Sequence, residues 1–581
     1  MNASNRARTA LLGLAVGAAI ALPHRAPAVV TSIWVVDSYK QWNEGEGDNV
    51  LITSEGEIRP GWKTHRIELE ADAVWSAARA PDGSLLLGTD DRGAIVRVRG
   101  DKVTKLAAID GAIAIVALAV GPRGAVYAGT MPGGEVWRVD AATGKASRLA
   151  DLPDAETVWA LAVAPDGKTV YAGTGPDGKL FAVDAASGKA TVAFESKDKR
   201  VMALAIADDG AVWLGTSDKA LVFRYDPRTR TARAMADFDG NEVTALAAAP
   251  GGVVAIANEF AEPTGTGART ARAAAKGTEK EKRREAGQKP DRPKVGAAPG
   301  ADKEEPTNAK LPRKGARKGK GALYRIGNDG QLEQLHALTA TYFASVAVGP
   351  DGAVFAGAGD KGRIYLVDAR DAVSTAFDVR ERVVSHIVVD GDRIAFATAD
   401  GAALYRATGA ASDAVYTSDV QDTGASSRFG RIAWHATGDV VVETRTGNTA
   451  DPDIGWSRWA APKQIARAGG EARGGRIASP PGRYVQFRVK FTGDRDAVVR
   501  SARIYHVPRN RPTRIKSIRV GTETKRVVTN KDVVKPRSPI VTISWKVDNP
   551  DGDETAYTID VRREGDVRWR RLVTKNGRPI T

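Results

Sequence analysis

The stretch VWALAVAPDGKTVYAGTGPDGKLFAVDAASGKATVAF, from Val158 to Phe194, decides the fold. Its first run, VWALAV, has the length and the β-branched, apolar content of a strand, and APDG ends it. TVYAGT, KLFAVD and ATVAFES follow, separated by GPDG and AASGK. Each break carries Gly, Pro, Asp or Ser, residues that supply the backbone angles tight turns need. Four short strands punctuated by turns describe one antiparallel sheet. Its apolar positions do not alternate cleanly with polar ones, as expected for a sheet covered on both faces.

Outward from this unit, equivalent starts fall at Val74, Ile115, Val158, Val201, Val243, Phe343 and Val384. The spacings are 41, 43, 43, 42, 100 and 41 residues. A period of about 40–45 residues with four strand-like runs per unit is the mark of propeller blades. The chain therefore reads as all-β: a seven-bladed β-propeller followed by two β-sandwich modules. Small residues in the first run, such as Ala160, Ala203 and Ala245, suit a crowded central axis. Gly-Thr closes the second strand at Gly88-Thr89, Gly129-Thr130, Gly173-Thr174 and Gly215-Thr216. A second glycine, at Gly93, Gly134, Gly178 and Gly362, reads as a turn residue at positive φ. Blade seven lacks an outer strand. Asn49 to Leu69 is expected to supply it, pairing near Ala402 to Arg406 and removing an open edge.

The PDG, GTGPDG and VDAASGK segments resemble exported bacterial seven-bladed propellers of the WD40-like, YVTN-like and NHL-like repeat types. The resemblance spans roughly residues 49 to 410 and implies the fold, since propellers host unrelated functions. VDAATGK and VDAASGK also resemble part of a quinoprotein repeat, but the Trp that follows there is absent. No cofactor is expected.

The amino terminus, MNASNRARTALLGLAVGAAIALPHRAPA, reads as a secretory signal peptide over residues 1–28. Arg6 and Arg8 form its charged region. Leu11 to Leu22 is its apolar core, and Ala26-Pro27-Ala28 is a cleavage site. An uncleaved anchor is the alternative. The mature chain is expected to carry no integral membrane span and to work in the periplasm, at the cell surface or outside the cell. The chain has no Cys, which excludes disulfides and thiolate metal sites. Its 6 His residues are scattered without metal-ligand spacing, and no metal site is expected.

The propeller is assigned to residues 29–410. Residues 261–320 interrupt blade five with Ala, Gly, Pro, Lys, Arg and Glu. They hold 17 Lys and Arg against 8 Asp and Glu, most of the chain's net charge of +15. Such a composition cannot bury enough apolar surface to offset its ordering entropy, so a disordered insertion is expected. A polyanion is its candidate partner. The insertion sits in a loop between second and third strands, on the face where propellers usually bind ligands. The same loops carry Asp91, Asp177, Asp218, Asp360 and Asp400. They are candidates for an acidic rim that meets a protein or polysaccharide ligand. Ordinary turn chemistry is the rival explanation.

After about Ala410 the period stops. Residues 411–508 alternate cleanly, as in QFRVKF, and resemble a jelly-roll-like β-sandwich. Trp456 and Trp459 are candidates for stacking on sugar rings, with core packing as the alternative. Residues 509–581 resemble a partial fibronectin type III domain with Trp545 as its core residue. Two functions stay open. One is a non-enzymatic exported binding protein of the bacterial envelope. The other is a propeller enzyme (lactonase, lyase or glycan-active hydrolase) with an axial site built from several blades. Converging carboxylates or histidines on the axis would favour the enzyme.

Overall fold

The structure is a computed structural model that describes residues 31–261, 318–467 and 471–509, together with parts of 511–573. Four-stranded antiparallel units recur around a common axis. Their innermost strands are Val74–Arg79, Ala114–Val120, Thr157–Val163, Arg200–Ile206, Glu242–Ala249, Phe343–Val348 and Val384–Asp390. Each innermost strand packs against the next, and Val384–Asp390 packs back against Val74–Arg79, closing the ring. The apolar cores lie between neighbouring blades. Leu86 and Ile95 of blade one, for example, pack against Ile115, Val126 and Ala128 of blade two.

The repeated Gly-Thr has two separate causes. A Cβ on Gly129, Gly173 or Gly215 would come within 3 Å of the first residue of the next blade (Val158, Val201 or Val243). Glycine here permits the close approach of blades. The threonine hydroxyl bridges the following turn: Thr89 donates to the Ala94 carbonyl at 3.2 Å and Thr174 to that of Lys179 at 3.0 Å. The second glycine holds positive φ at Gly93, Gly178 and Gly362. In blade two that angle falls instead on Gly133, and Gly134 is needed because Ala155 lies against its α-carbon.

Ring closure uses the amino-terminal segment. Trp62–Glu68 pairs antiparallel with Ala403–Ala410, with Ile67 opposite Leu404 and Arg66 opposite Tyr405. The segment that does this is shorter than Asn49 to Leu69. Residues Ser32–Pro60 leave the ring and join the module that follows it. Ser32–Val36 pairs with Val498–Pro508, Glu46–Asp48 with Asp413–Thr417, and Ile58 with Val499. The cause is burial: Trp42, Val50, Ile52 and Ile58 share one core with Tyr416, Ile432, Phe487 and Phe491. The module is therefore built from both ends of the ring. Its sheet is continuous with blade six through Ile52 and Thr375.

In the last segment, Arg514–Thr522 pairs with Val541–Asp548. Trp545 is half-buried, not buried as expected, and its ring lies 5.2 Å from Tyr557. Only two-stranded ladders occur among the described residues here.

Candidate functional site

All seven innermost strands carry the same irregularity. The register slips by one residue after the first repeat position, between Val74 and Ser76, Val158 and Ala160, Val384 and His386, and their equivalents. A β-bulge leaves one residue unpaired and re-aims its side chain. The unpaired residues are Trp75, Val116, Trp159, Met202, Thr244, Ala344 and Ser385, and every one lines a cavity on the axis. Below this collar lies a layer of Ser and Ala, broken only by His386 of blade seven. A third layer is wholly apolar, from Ala77, Leu118, Leu161 and their equivalents. The cavity measures ≈ 730 Å³, within the range of small-molecule sites. Arg200, Glu242, Tyr342 and Phe260 stand at its mouth, one position before the bulge or at the end of a second strand.

Little of this wall is available for polar chemistry. The Ser76 hydroxyl donates to the Ile115 carbonyl and that of Ser345 to the Val384 carbonyl, each at 2.7 Å. Both tie one blade to the next. Ser385 donates to Ala397, and Thr244 donates to the Glu242 carboxylate at 3.2 Å. Arg200 contacts the Ser217 hydroxyl at 3.5 Å, and Ser217 is in turn the strand partner of Glu242. One cation and one anion thus flank a single serine. The His386 Nδ1 is enclosed and has no hydrogen-bond partner among the described residues. Burial pushes its pKa down to about 4, so the imidazole is neutral at pH 7.

The five aspartates read from the sequence lie on the expected loops but do not line this cavity. Each is already engaged. Asp91 lies 3.8 Å from the Lys105 ammonium, Asp177 3.4 Å from Lys179, Asp218 3.0 Å from Lys199 and Asp360 3.0 Å from Arg382. Asp400 accepts from the backbone amides of Arg382 and Val383 at 2.9 and 3.0 Å, fastening the connection into blade seven. Asp90 fastens the start of blade one the same way. In this structure these aspartates cap turns and take part in local ion pairs. Among the described residues no group of three or more His, Asp or Glu could hold a metal ion.

Trp456 and Trp459, the candidates for stacking on sugar rings, lie in the module beyond the ring. Trp456 is 7% exposed and lies flat against Gly447, with its Nε1 donating to the Thr449 hydroxyl at 3.0 Å. Trp459 carries the guanidinium groups of Arg445 and Arg488 over its ring, at 4.5 and 4.6 Å from the centroid. Cation–π contacts occupy the surface that a sugar would use.

The residues that form the collar were missed in the sequence. Their signal was present: the position after each repeat start varies from Trp to Val, Met, Thr, Ala and Ser, while its neighbours stay uniform. A variable position inside a uniform repeat marks a place the fold does not dictate.

An all-β propeller with an axial cavity defines the class of this protein. Residues 42–252 match the family described as SMP-30/Gluconolactonase/LRE-like region. No curated protein matches the chain. Among solved structures, a streptogramin B lyase is 10% identical with a TM-score of 0.42, covering 59% of this chain and 97% of its own. The extracellular domain of the putative one component system BT4673 from B. thetaiotaomicron is 14% identical with a TM-score of 0.41, covering 65% of this chain and 42% of its own. The β-propeller domain of Cps50 (Swd1) from Myceliophteria thermophila is 13% identical with a TM-score of 0.40, covering 59% and 99%. No helix among the described residues is long and apolar enough to cross a membrane.

Proposed function

We propose that this protein is a non-enzymatic, exported propeller that holds a small ligand in its axial cavity. Export rests on the signal-like residues 1–28. The observation that carries the binding role is the composition of the cavity wall. Acid–base catalysis needs groups that can exchange protons with a substrate. Among the described residues the axis supplies a single carboxylate, a single imidazole and the Tyr342 phenol, and its serine and threonine hydroxyls are already hydrogen-bonded. The collar of Trp75 and Trp159 instead offers apolar contact area.

The family match over residues 42–252 favours a second function, lactone hydrolysis, with Glu242 as the one candidate base. Two measurements separate the two. The full chain is incubated with envelope extract, and retained small molecules are counted by native mass spectrometry. It is also assayed against simple sugar lactones. Retention without turnover is expected. Lactone turnover that Glu242→Gln abolishes would replace binding by catalysis.

A further inference from the structure

We propose that the axial cavity selects an uncharged, mainly apolar ligand whose single polar group hydrogen-bonds to His386. This rests on the axial binding role and adds the chemical class of the ligand.

Charge is the first constraint. Arg200 and Glu242 flank the same Ser217, so among the described residues the cavity wall carries one charge of each sign. Deeper in, the wall is Ala, Val, Leu and Ile with engaged hydroxyls. A ligand with net charge would lose its hydration there and meet no opposite charge, which is costly. The second constraint is the collar. Trp75 stays 40% exposed although it sits in a recess, and Trp159 shares the same wall. Large aromatic faces left open inside a concave site are suited to flat or ring-shaped apolar groups.

The third constraint is His386. The six equivalent positions of its layer are Ser or Ala. The two serines bond to the neighbouring blade, and the alanines need no partner. His386 alone brings a polar atom, Nδ1, that finds no partner among the described residues. Buried polar groups are nearly always paired, and an exception asks for a cause. His386 is also the one polar side chain of this layer that lines the cavity without a bond to a neighbouring blade, so a ligand group reaching past the collar would meet its ring.

Two dyes with one skeleton test this on the full chain, at about 0.5 M salt so that attraction of the sulfonate to the basic insertion is screened. N-phenyl-1-naphthylamine is uncharged with one N–H, and 1-anilinonaphthalene-8-sulfonate adds a fixed negative charge. The uncharged dye should bind with a rise in emission, and the sulfonate should bind about tenfold more weakly or worse. Trp75→Ala and Trp159→Ala should each weaken the uncharged dye by roughly threefold. His386→Ala should weaken it by about fivefold, and His386→Asn, which keeps a hydrogen-bonding group, by less. Equal binding of the two dyes overturns the proposal. So does uncharged-dye binding that none of these variants changes, because the dye then sits elsewhere, for instance on exposed Ile518 and Val520.

Ala203→Trp, which fills the second layer, separates the two levels of inference. If it abolishes retention of the envelope ligand while the dyes ignore the axis, the binding site stands and the ligand class falls. If it changes neither, both fall. Should Ala203→Trp fail to fold, Trp75→Ala and Trp159→Ala decide by the same comparison.

Discussion

The guanidinium of Arg363 donates to the carbonyl of Gly45 at 2.5 Å, joining residues 318 positions apart in the chain. Arg363 belongs to the third strand of blade six, and Gly45 to the amino-terminal segment that completes the following module. The same guanidinium donates to the Asn43 carbonyl at 2.5 Å and lies 3.5 Å from the Asp378 carboxylate. Asp378 accepts from the Gly47 amide at 3.2 Å, and the Tyr39 hydroxyl lies 3.0 Å from that of Thr375. Ring and module are thus fastened by a buried ionic knot. Arg363→Ala would leave Asp378 buried without its cation. The expected cost is on the order of 3–5 kcal/mol, read as a lowered urea midpoint. Arg363→Met combined with Asp378→Leu should recover a large part, because replacing both partners removes the stranded charge. No recovery would place the stability in the hydrogen bonds to Asn43 and Gly45 instead.

Ring closure depends on a second buried acid. Glu381 is fully buried and lies 3.0 Å from Arg66 of the closing strand and 3.2 Å from Arg380. It also accepts from the Tyr405 hydroxyl at 2.5 Å. Burial pushes its carboxyl up, but the Tyr405 hydroxyl, its own backbone amide, Arg380 and Arg66 hold it below the usual glutamate range. A depressed carboxylate contributes stability above its unfolded pKa and loses it as pH falls through the folded one. Glu381→Gln should therefore cost about 2 kcal/mol at pH 7. The gap to wild type should narrow as the pH drops below about 4. A gap that does not change with pH would show that shape, not charge, closes the ring.

The ring itself was legible because a period repeats. Seven chances to see Gly-Thr, PDG and the apolar run outweigh any single ambiguous strand. Ser32–Pro60 was not legible, because its strands are three to five residues long and repeat nowhere. Its assignment to the module beyond the ring rests on long-range pairing and on packing of Trp42 against Tyr416 and Phe487, with ring centroids at 5.0 and 6.1 Å. The loop aspartates were found, and their ion pairs were not, since Lys199 and Asp218 meet only through the fold. The bulge that turns Trp75 and Trp159 to the axis depends on strand register, which an apolar run does not encode when both faces are covered.

His386 gives a pH dependence of opposite chemistry. Its burial lowers the imidazole from its ordinary range to about 4. The unfolded chain takes up a proton near pH 6.5, while the folded chain resists it until about pH 4. Stability should therefore fall as pH drops across that window. His336 and His506 are also lowered by burial and act in the same direction. His386→Gln should make the decline shallower by up to one proton's worth. An unchanged slope would mean that water in the cavity already solvates the ring.

The basic insertion bears on the same axis. Residues 261–320 lie, apart from Ala261 and Lys318 to Lys320, outside the described residues, but their roots are placed. Phe260 and Gly319 face each other across the ladder of blade five. Phe260 also lines the axial cavity and packs 4.9 Å from Tyr342. A segment with 17 Lys and Arg against 8 Asp and Glu is thus rooted at the cavity mouth. We propose that it gathers polyanions at that mouth by Coulomb attraction and counterion release. Replacing residues 264–316 with a short Gly-Ser linker should leave the thermal transition intact, because the ladder from Gly252 to Phe260 is retained. Retention on heparin resin should fall sharply in the shortened chain at low salt. For the full chain it should weaken steeply toward 0.15 M salt, where screening shortens to about 8 Å. Equal retention of the two chains at low salt would reduce the insertion to a spacer.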